Sequence, residues 1–192
     1  LRDFNPIDFL TYQLPFGYSP DATCPMFDKY LLEVLPDLES RMVLQEFSGY
    51  IFTKLNLEKM LMLTGTGANG KSVFFEIVNA ILGDENICSY SLQNLTKYDS
   101  YQRAELSNKL LNYASEINGK LEASIFKQLV SGEPVEARQI YGKPFVMRVY
   151  GKLMFNCNEL PKEVEQTNAF FRRFIIIPFS ETIPEQEQDP EL

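Results

Sequence analysis

The spacing of apolar residues changes several times along this chain, and each change marks a different predicted element. In residues 27–35 and 42–52, apolar side chains recur every three or four positions, which is typical of helices with one buried face. Further along, short continuous apolar runs appear instead, and these are typical of buried strands. The predicted strands are residues 59–64, 87–90, 109–116, 152–158 and 173–177.

Helical spacing returns between these strands. Residues 73–82 form a predicted helix that Gly83 ends, and residues 121–130 form another that Ser131 and Gly132 end. Strands that alternate with helices favour a mostly parallel sheet covered on both faces. We therefore predict an α/β fold, with a three-layer αβα core on a mostly parallel five-stranded sheet, preceded by a small helical domain.

Composition divides the chain into three predicted parts. Residues 1–57 contain four prolines within the first 25 positions and then helical spacing, so we expect a helical N-terminal region there. Residues 58–180 contain the strands and helices of the predicted core. Residues 181–192 carry five acidic side chains and few apolar ones, which is typical of an acidic tail or solvated linker.

The most specific chemical signal is a glycine-rich segment between the first predicted strand and the helix at 73–82. It consists of Gly65, Thr66, Gly67, Ala68, Asn69, Gly70, Lys71 and Ser72. This is a complete phosphate-binding loop, in which glycines let successive amides point at one anion. In such loops the lysine reaches the β- and γ-phosphates and the serine hydroxyl ligates Mg²⁺. We therefore expect this chain to bind a nucleoside triphosphate at a helix N-terminus.

The amino-acid composition narrows the chemistry further. The 192 residues include no histidine, which excludes histidine-based zinc sites and Ser-His-Asp triads. Any catalytic base is then a carboxylate, and we expect any metal to be Mg²⁺ held by oxygen ligands. Three well-separated cysteines favour reduced thiols in an intracellular protein, and no apolar run approaches the ~20 residues of a membrane span.

Nucleotide hydrolysis requires a group near the terminal phosphate that holds Mg²⁺ or orients water. Glu116 ends a predicted buried strand, where α/β sheets bind ligands, and it is our candidate acid; a capping or surface glutamate is the alternative. Asn158 ends the next predicted strand and can hydrogen-bond the γ-phosphate and water, although an asparagine before Pro161 is also typical of a turn. Asn156, two residues earlier on the same strand face, is a rival for this role.

Arg172 and Arg173 precede the most apolar predicted strand. Arginines in such a place often serve only as charges at the edge of a strand. The alternative is an arginine finger, inserted into the nucleotide site of a neighbouring subunit to stabilise charge in the transition state. Position in the sequence leaves both interpretations open.

A predicted β-hairpin interrupts the alternation of strands and helices, because residues 135–141 and 144–150 alternate around Gly142 and Lys143. Residues 138–152 carry four basic side chains and no acid, although the net charge of the chain is −8. The interleaved basic and aromatic residues are Arg138, Tyr141, Lys143, Phe145, Arg148 and Tyr150. Such a mixture suits a nucleic-acid backbone and its bases, and Arg138, Tyr141 and Lys143 are our candidates for DNA contact. An ordinary exposed hairpin with inward-facing aromatics is the alternative.

Together these motifs resemble the superfamily 3 helicases, and more narrowly the helicase module of the phage, plasmid and poxvirus primase-helicases. The resemblance covers nearly the whole chain. Its motifs are residues 44–50, residues 65–72, Glu116, residues 135–138, Asn158-Glu159-Leu160-Pro161, Arg172-Arg173 and residues 178–179. The Asn-Gly-Lys-Ser ending and the Asn-Glu-Leu-Pro motif are specific to this group, whereas the phosphate loop alone is shared by many enzymes.

The resemblance implies an AAA+-type ATPase that uses ATP and Mg²⁺, assembles as a hexameric ring around DNA and moves 3′ to 5′. In such a ring DNA meets only the pore loops, so the acidic net charge is no objection to DNA binding. The roles it implies are nucleotide binding for Lys71, Mg²⁺ for Ser72, the Walker B acid for Glu116, the sensor for Asn158, the finger for Arg172 or Arg173 and the hairpin tip for Lys143. The implied protein is a DNA helicase of a virus, prophage or mobile element.

One departure from the family pattern concerns the acid. Many such ATPases carry two adjacent acids where this chain has Ser115 and Glu116. The division of labour between Mg²⁺ ligation and water activation therefore stays open. No primase signature is present, so we expect a primase domain and a C-terminal lid outside residues 1–192.

Two other classes of protein fit a phosphate-binding loop. A P-loop kinase would transfer phosphate to a small metabolite, and would need an acceptor base that this sequence does not clearly supply. A nucleotide-gated loader would bind ATP and assemble with replication proteins without separating DNA strands.

Overall fold

The structure, a computed structural model, has a parallel five-stranded sheet at its centre. It describes residues 5–8, 12–115, 117, 121–158, 167–184 and 186. The strands of the sheet are β1 (Met60–Thr64), β2 (Ile87–Cys88), β3 (Leu111–Ser115), β6 (Lys152–Cys157) and β7 (Phe174–Pro178). Their order is β2-β3-β6-β1-β7, and each neighbouring pair is parallel. A separate antiparallel hairpin contains β4 (Val135–Arg138) and β5 (Pro144–Met147).

Within the described residues, six α-helices and two short 3-10 helices surround the strands. The α-helices are α1 (Pro25–Val34), α2 (Leu38–Ile51), α3 (Lys71–Leu82), α4 (Leu92–Thr96), α5 (Ala123–Val130) and α6 (Asn168–Phe171). The 3-10 helices span Pro6–Asp8 and Gln102–Leu106. None of the helices in the described part of the chain is long and apolar enough to cross a membrane.

Local signals in the sequence fix several helix ends. The Asp37 carboxylate accepts a hydrogen bond from the Ser40 amide at the start of α2, over 2.7 Å. Pro25 occupies the first turn of α1, where its missing N–H is not needed. Gly83 ends α3 at a φ of +75°, a conformation that glycine adopts without strain.

Alternate residues of each central strand point to opposite faces of the sheet, so the strands are buried on both sides. In β1, Met60 and Met62 pack on one face, whereas Leu61 and Leu63 pack on the other. The first face is covered by α4, α5, α6 and the hairpin. The second face is covered by α1, α2 and α3. This arrangement confirms the predicted α/β fold with helices on both faces.

The predicted N-terminal helices share one hydrophobic core with the sheet. Val34 of α1 and Phe47 of α2 are buried in the same cluster as Leu61 of β1 and Phe74 of α3. Full burial of side chains this large contributes about 1.5–3 kcal/mol each. These helices therefore lie directly against the sheet. The domain boundary between residues 57 and 58 stays a prediction from the sequence.

The hairpin differs from its prediction in the position of the turn. Arg138 pairs with Pro144, which leaves five residues between the strands, whereas we expected the turn at Gly142 and Lys143. The Gly142 amide donates to the Gln139 carbonyl oxygen over 2.9 Å, so the tight turn lies earlier. Tyr141 has a φ of +59°, a left-handed conformation that is uncommon for a residue other than glycine. The longer loop therefore places this conformation at Tyr141 and not at a glycine.

The side chain of Asn112 extends the sheet beyond the two-residue strand β2. Its Oδ1 accepts from the Tyr90 amide over 2.9 Å, and its Nδ2 donates to the Tyr90 carbonyl oxygen over 3.0 Å. Asn112 itself is fully buried. This amide therefore takes the place of a backbone partner on β3.

Replacement of Asn112 by alanine should leave both backbone groups of Tyr90 without these partners. We expect the free energy of unfolding to fall by about 2–3 kcal/mol, measured by urea denaturation. Asn79→Ala on α3 is the matched control, because its side chain makes no hydrogen bond among the described residues and alanine favours helix. Equal effects of the two substitutions would contradict this role for Asn112.

Candidate active site

The carboxyl ends of the parallel strands meet at one edge of the sheet, and the glycine-rich loop lies there. The loop joins β1 to α3 across this edge. A cavity of about 990 Å³ opens beside it. Its lining from the sheet and loop comprises residues 67–73, Ser115, Asn156, Cys157 and Asn158. The fold thus brings together the predicted phosphate loop and the ends of β3 and β6.

Left-handed backbone conformations shape the loop. Gly67, Ala68 and Gly70 have φ values of +119°, +46° and +84°. A side chain at Gly70 would also collide with Val34, whose Cγ1 would lie 2.7 Å from the added Cβ. Thr66, Gly67 and Ala68 are exposed, and Gly67 and Ala68 line the cavity. The glycine at position 70 is therefore required for both conformation and space.

The ammonium group of Lys71 lies inside the loop. Its Nζ donates to the Gly65 carbonyl oxygen over 2.7 Å and to Asn69 Oδ1 over 2.9 Å. Burial lowers the pKa of Lys71, because the charged form is removed from water. Burial also raises the pKa of the nearby Cys157 thiol to about 11, so this thiol stays neutral at pH 7 and cannot offset the lysine charge. The buried ammonium therefore lacks an anionic partner among the described residues.

The N-terminal helix α1 forms one wall of the cavity, and the sequence did not predict this. The Tyr30 hydroxyl donates to the Gly70 carbonyl oxygen over 2.7 Å. On another side, the Ile183 amide donates to the Ala68 carbonyl oxygen over 2.8 Å. Segments before and after the core therefore hold the loop. Nothing in the local sequence indicates that residue 30 meets residue 70, since the contact depends on how α1 packs on α3.

The two candidate sensor asparagines lie in different environments. Asn158 is exposed and lines the cavity. Asn156 is buried, accepts a hydrogen bond from the Tyr113 hydroxyl over 2.7 Å and donates to the Lys71 carbonyl oxygen over 3.3 Å. Asn156 therefore supports the first turn of α3 from below. Of the two, Asn158 is the exposed residue of the cavity lining.

Ser72 is exposed in the first turn of α3 and also lines the cavity. Glu116, the candidate acid, lies outside the described residues, as do Glu159, Leu160 and Pro161. Of the two described neighbours of Glu116 in the sequence, Ser115 lines the cavity and Ile117 is buried. Among the described residues, no three cysteine, aspartate or glutamate side chains form a cluster suited to a metal.

The two candidate arginines lie at the opposite edge of the sheet, where β7 begins, and they are held differently. Arg173 is buried, and its guanidinium donates to Ser131 Oγ over 2.8 Å and to the Ala169 carbonyl oxygen. The Arg172 side chain is 59% exposed and lies 3.7 Å from the Glu58 carboxylate. Arg173 therefore serves the packing of this chain, whereas Arg172 is accessible from outside.

The hairpin candidates lie apart from the cavity. Tyr141 and Lys143 are exposed in the loop between β4 and β5, and Tyr141 is fully so. Arg138 is engaged within the hairpin, since its Nε donates to the Gly142 carbonyl oxygen over 3.1 Å and its guanidinium lies 5.8 Å from the Tyr101 ring centroid. The exposed tip of the hairpin therefore consists of Tyr141 and Lys143, which are accessible to a partner.

Viral proteins resemble nearly the whole chain. "Putative helicase L207/L206" of Acanthamoeba polyphaga mimivirus is 26% identical over 190 residues, which cover 93% of this chain and 20% of that protein. "Putative helicase 121R" of Invertebrate iridescent virus 3 is 26% identical over 203 residues, or 96% of this chain and 21% of that protein. "Putative primase C962R" of African swine fever virus is 29% identical over 124 residues, covering 59% of this chain and 13% of that protein.

This chain spans about a fifth of the length of the first two relatives. Their names confirm the expected resemblance to viral helicase and primase proteins. Among solved structures, the apo C-terminal region of NrS-1 has a TM-score of 0.69 at 19% identity, covering 94% of this chain and 41% of that one. This similarity confirms the fold.

A family model gives the remaining comparison. It is described as a family of unknown function, DUF5906, and it matches residues 63–173, from the end of β1 to the start of β7. The match covers more than half of the chain. This chain therefore belongs to the DUF5906 family.

Proposed function

We propose that this chain is the motor module of a viral or mobile-element DNA replication protein, and that it couples ATP hydrolysis to DNA unwinding. The observation that carries the proposal is the cavity where the glycine loop, Lys71 and Ser72 meet at the start of α3. The viral relatives with helicase and primase names support a role in DNA replication.

The chemistry of the loop suits a triphosphate. Exposed amides at residues 66–68 and the N-terminus of the 12-residue helix α3 favour an anion. The buried ammonium of Lys71 gains an opposite charge when a phosphate arrives. The cavity of about 990 Å³ is within the usual range for sites of small molecules and cofactors. We infer that ATP binds here with its phosphates on the loop.

Mg²⁺ fits the donors at this edge of the sheet. Ser72 offers an exposed hydroxyl, and Glu116 follows Ser115 at the end of β3. When bound, Mg²⁺ neutralises charge on the phosphate oxygens. Glu116 and Ser72 would hold it, in part through water, and Asn158 would hydrogen-bond the terminal phosphate or the attacking water. The exposure of Asn158 favours it over Asn156, whose amide is already used by Tyr113 and Lys71.

Arg172 suits a role at the nucleotide site of a neighbouring subunit. It precedes β7, whereas the loop follows β1, and these strands are parallel. Five residues at ~3.3 Å each place the two ends of a strand about 15 Å apart, which is farther than an arginine side chain reaches. Arg172 therefore serves a second copy of the chain if it contacts a γ-phosphate at all. This geometry supports a ring of subunits, for which we propose a hexamer.

The hairpin tip is our proposed DNA contact. Tyr141 presents a fully exposed ring at a strained φ of +59°, and Lys143 presents a positive charge beside it. A ring and a cation at one tip suit the bases and phosphates of single-stranded DNA. Since Arg138 is engaged with Gly142 and Tyr101, we place the direct contact at Tyr141 and Lys143.

Strand displacement on a forked duplex tests the proposed function directly. The purified protein should release the displaced strand only with ATP and Mg²⁺, and Lys71→Ala should abolish release because the phosphates lose their cation. Lys54→Ala is the control, since Lys54 is an exposed lysine outside the cavity. A rate of ATP hydrolysis that is unchanged by DNA would favour a kinase. ATP-dependent assembly without strand release would favour a loader.

Substitution of the two arginines should separate their roles. Arg172→Ala should leave ATP affinity unchanged but lower kcat by about 10³-fold or more, and should inhibit wild-type protein in mixed assemblies. Its stability should change by at most about 1 kcal/mol, because the Glu58 pair is exposed.

Arg173→Ala should instead lower the free energy of unfolding by about 2–4 kcal/mol, through the loss of buried hydrogen bonds. ATPase assays on mixtures and urea denaturation give the two readouts. Inhibition of mixed assemblies by Arg173→Ala, with unchanged stability, would contradict the assignment.

Lys143→Ala should spare basal ATP hydrolysis and remove its stimulation by single-stranded DNA. If Lys143 neutralises one phosphate, the slope of log affinity against log salt should fall by about 0.7. Lys54→Ala carries the same loss of charge at an exposed site away from the hairpin and should change neither quantity. Unaltered stimulation in the Lys143 variant would exclude this lysine from the DNA contact.

A further inference from the structure

Asn69 joins the loop lysine to the end of β7. Its Oδ1 accepts from Lys71 Nζ over 2.9 Å, and its Nδ2 donates to the Phe179 carbonyl oxygen over 3.1 Å. Only this orientation of the amide satisfies both partners, because an ammonium donates and a carbonyl oxygen accepts. Asn69 is 4% exposed, so each contact is made away from water.

The loop is built around this side chain. A Cβ on Gly65 would collide with the Asn69 amide and with the Phe179 carbonyl oxygen. The glycine therefore leaves the space in which the loop, the lysine and the end of β7 meet. Loop closure over phosphate requires main-chain amides, the lysine and the serine, and none of these needs a contact with Phe179.

β7 is one of the two edge strands of the sheet. It pairs with β1 on one side over five residues, and β2 forms the opposite edge. Its residues are more exposed than those of β1, β3 or β6, with Ile176 at 44%. At its carboxyl end, the Phe179 amide donates to the Thr64 carbonyl oxygen over 2.7 Å, and the Phe179 carbonyl oxygen accepts from Asn69. Arg172 lies just before its amino end.

We propose that Asn69 is a positioning residue that links occupancy of the glycine loop to β7, the strand whose other end carries Arg172. The proposal rests on the proposed function, since it requires a triphosphate that binds Lys71. In the structure, Asn69 holds both Lys71 and Phe179. A phosphate takes the ammonium away from Asn69 Oδ1, which leaves a buried acceptor without its partner.

An unpartnered buried amide oxygen is unfavourable, so the amide turns towards a new donor among the loop amides or solvent at the cavity. That rotation removes the Nδ2 contact with Phe179. The carboxyl end of β7 then keeps its pairing with β1 and the Ile183–Ala68 hydrogen bond, but it loses its side-chain contact with the loop. The backbone at Phe179 therefore opens more readily when the loop is occupied.

Hydrogen exchange of the Phe179 amide, read with and without Mg²⁺ and a slowly hydrolysed ATP analogue, tests this link. In the wild-type protein, the analogue should accelerate exchange at Phe179 by about threefold or more. Asn69→Asp keeps an acceptor for Lys71 but has no donor for Phe179. Asn69→Ala keeps neither. Both variants should exchange rapidly at Phe179 without nucleotide and show no further response to the analogue.

Asn86→Asp is the matched control. Asn86 is also a buried asparagine, and its Nδ2 donates to the carbonyl oxygens of Gln13 and Leu82 at the far end of α3. This variant should keep the wild-type response at Phe179. If the Asn69 variants respond to the analogue as the wild type does, the link through Asn69 is wrong.

Binding of the analogue is measured in parallel by calorimetry, so that the two proposals fail separately. Wild-type protein that binds the analogue without any change at Phe179 contradicts the link and leaves the proposed function intact. Wild-type protein that binds no analogue contradicts the proposed function and, with it, the link. If Asn69→Ala does not fold, Asn69→Asp decides the outcome, because it preserves the shape of the side chain.

Discussion

The parallel pairing of β1 with β6 on one side and β7 on the other determines where the candidate side chains lie. Parallel strands bring their carboxyl ends to one edge, and that edge holds the glycine loop, Asn158 and the Phe179 carbonyl oxygen. The same pairing sends Arg172 to the other edge. This topology places Arg172 away from the glycine loop of the same chain. Under the proposed function, a second copy of the chain would therefore supply the arginine.

Buried polar side chains give this edge a defined geometry. Asn69, Asn156 and Tyr113 are each buried, and each has hydrogen-bond partners. Within a low-dielectric interior such bonds fix the position of the groups they join, because any rearrangement leaves a polar atom without a partner. The loop is thus preorganised around Lys71. An arriving anion has to replace the contacts that Lys71 makes with Gly65 and Asn69.

Much of the fold follows from periodicity in the sequence. The helical spacing of residues 73–82 and the stop at Gly83 predicted α3 to within its first turn, and continuous apolar runs predicted the central strands. The hairpin turn was misplaced, because alternation identifies strands but does not fix the number of loop residues between Arg138 and Pro144. Turn position depends on register, which is set by packing across the two strands.

The candidate site was only partly predictable. The loop motif identified residues 65–72, because its chemistry is local in sequence. The different roles of Arg172 and Arg173 could not be predicted from the sequence. They depend on whether the side chain contacts Ser131, some forty positions away. Contacts of Tyr30 with Gly70, and of Asn69 with Phe179, are likewise long-range and have no signature in a single sequence.

The central claim is that the glycine loop receives a triphosphate through Lys71. A crystal structure of the protein with Mg²⁺ and a slowly hydrolysed ATP analogue tests this claim most directly. The account predicts that Lys71 Nζ leaves the Gly65 carbonyl oxygen and Asn69 Oδ1 and contacts phosphate oxygens on the loop. An analogue bound elsewhere, with both Lys71 hydrogen bonds unchanged, would contradict it.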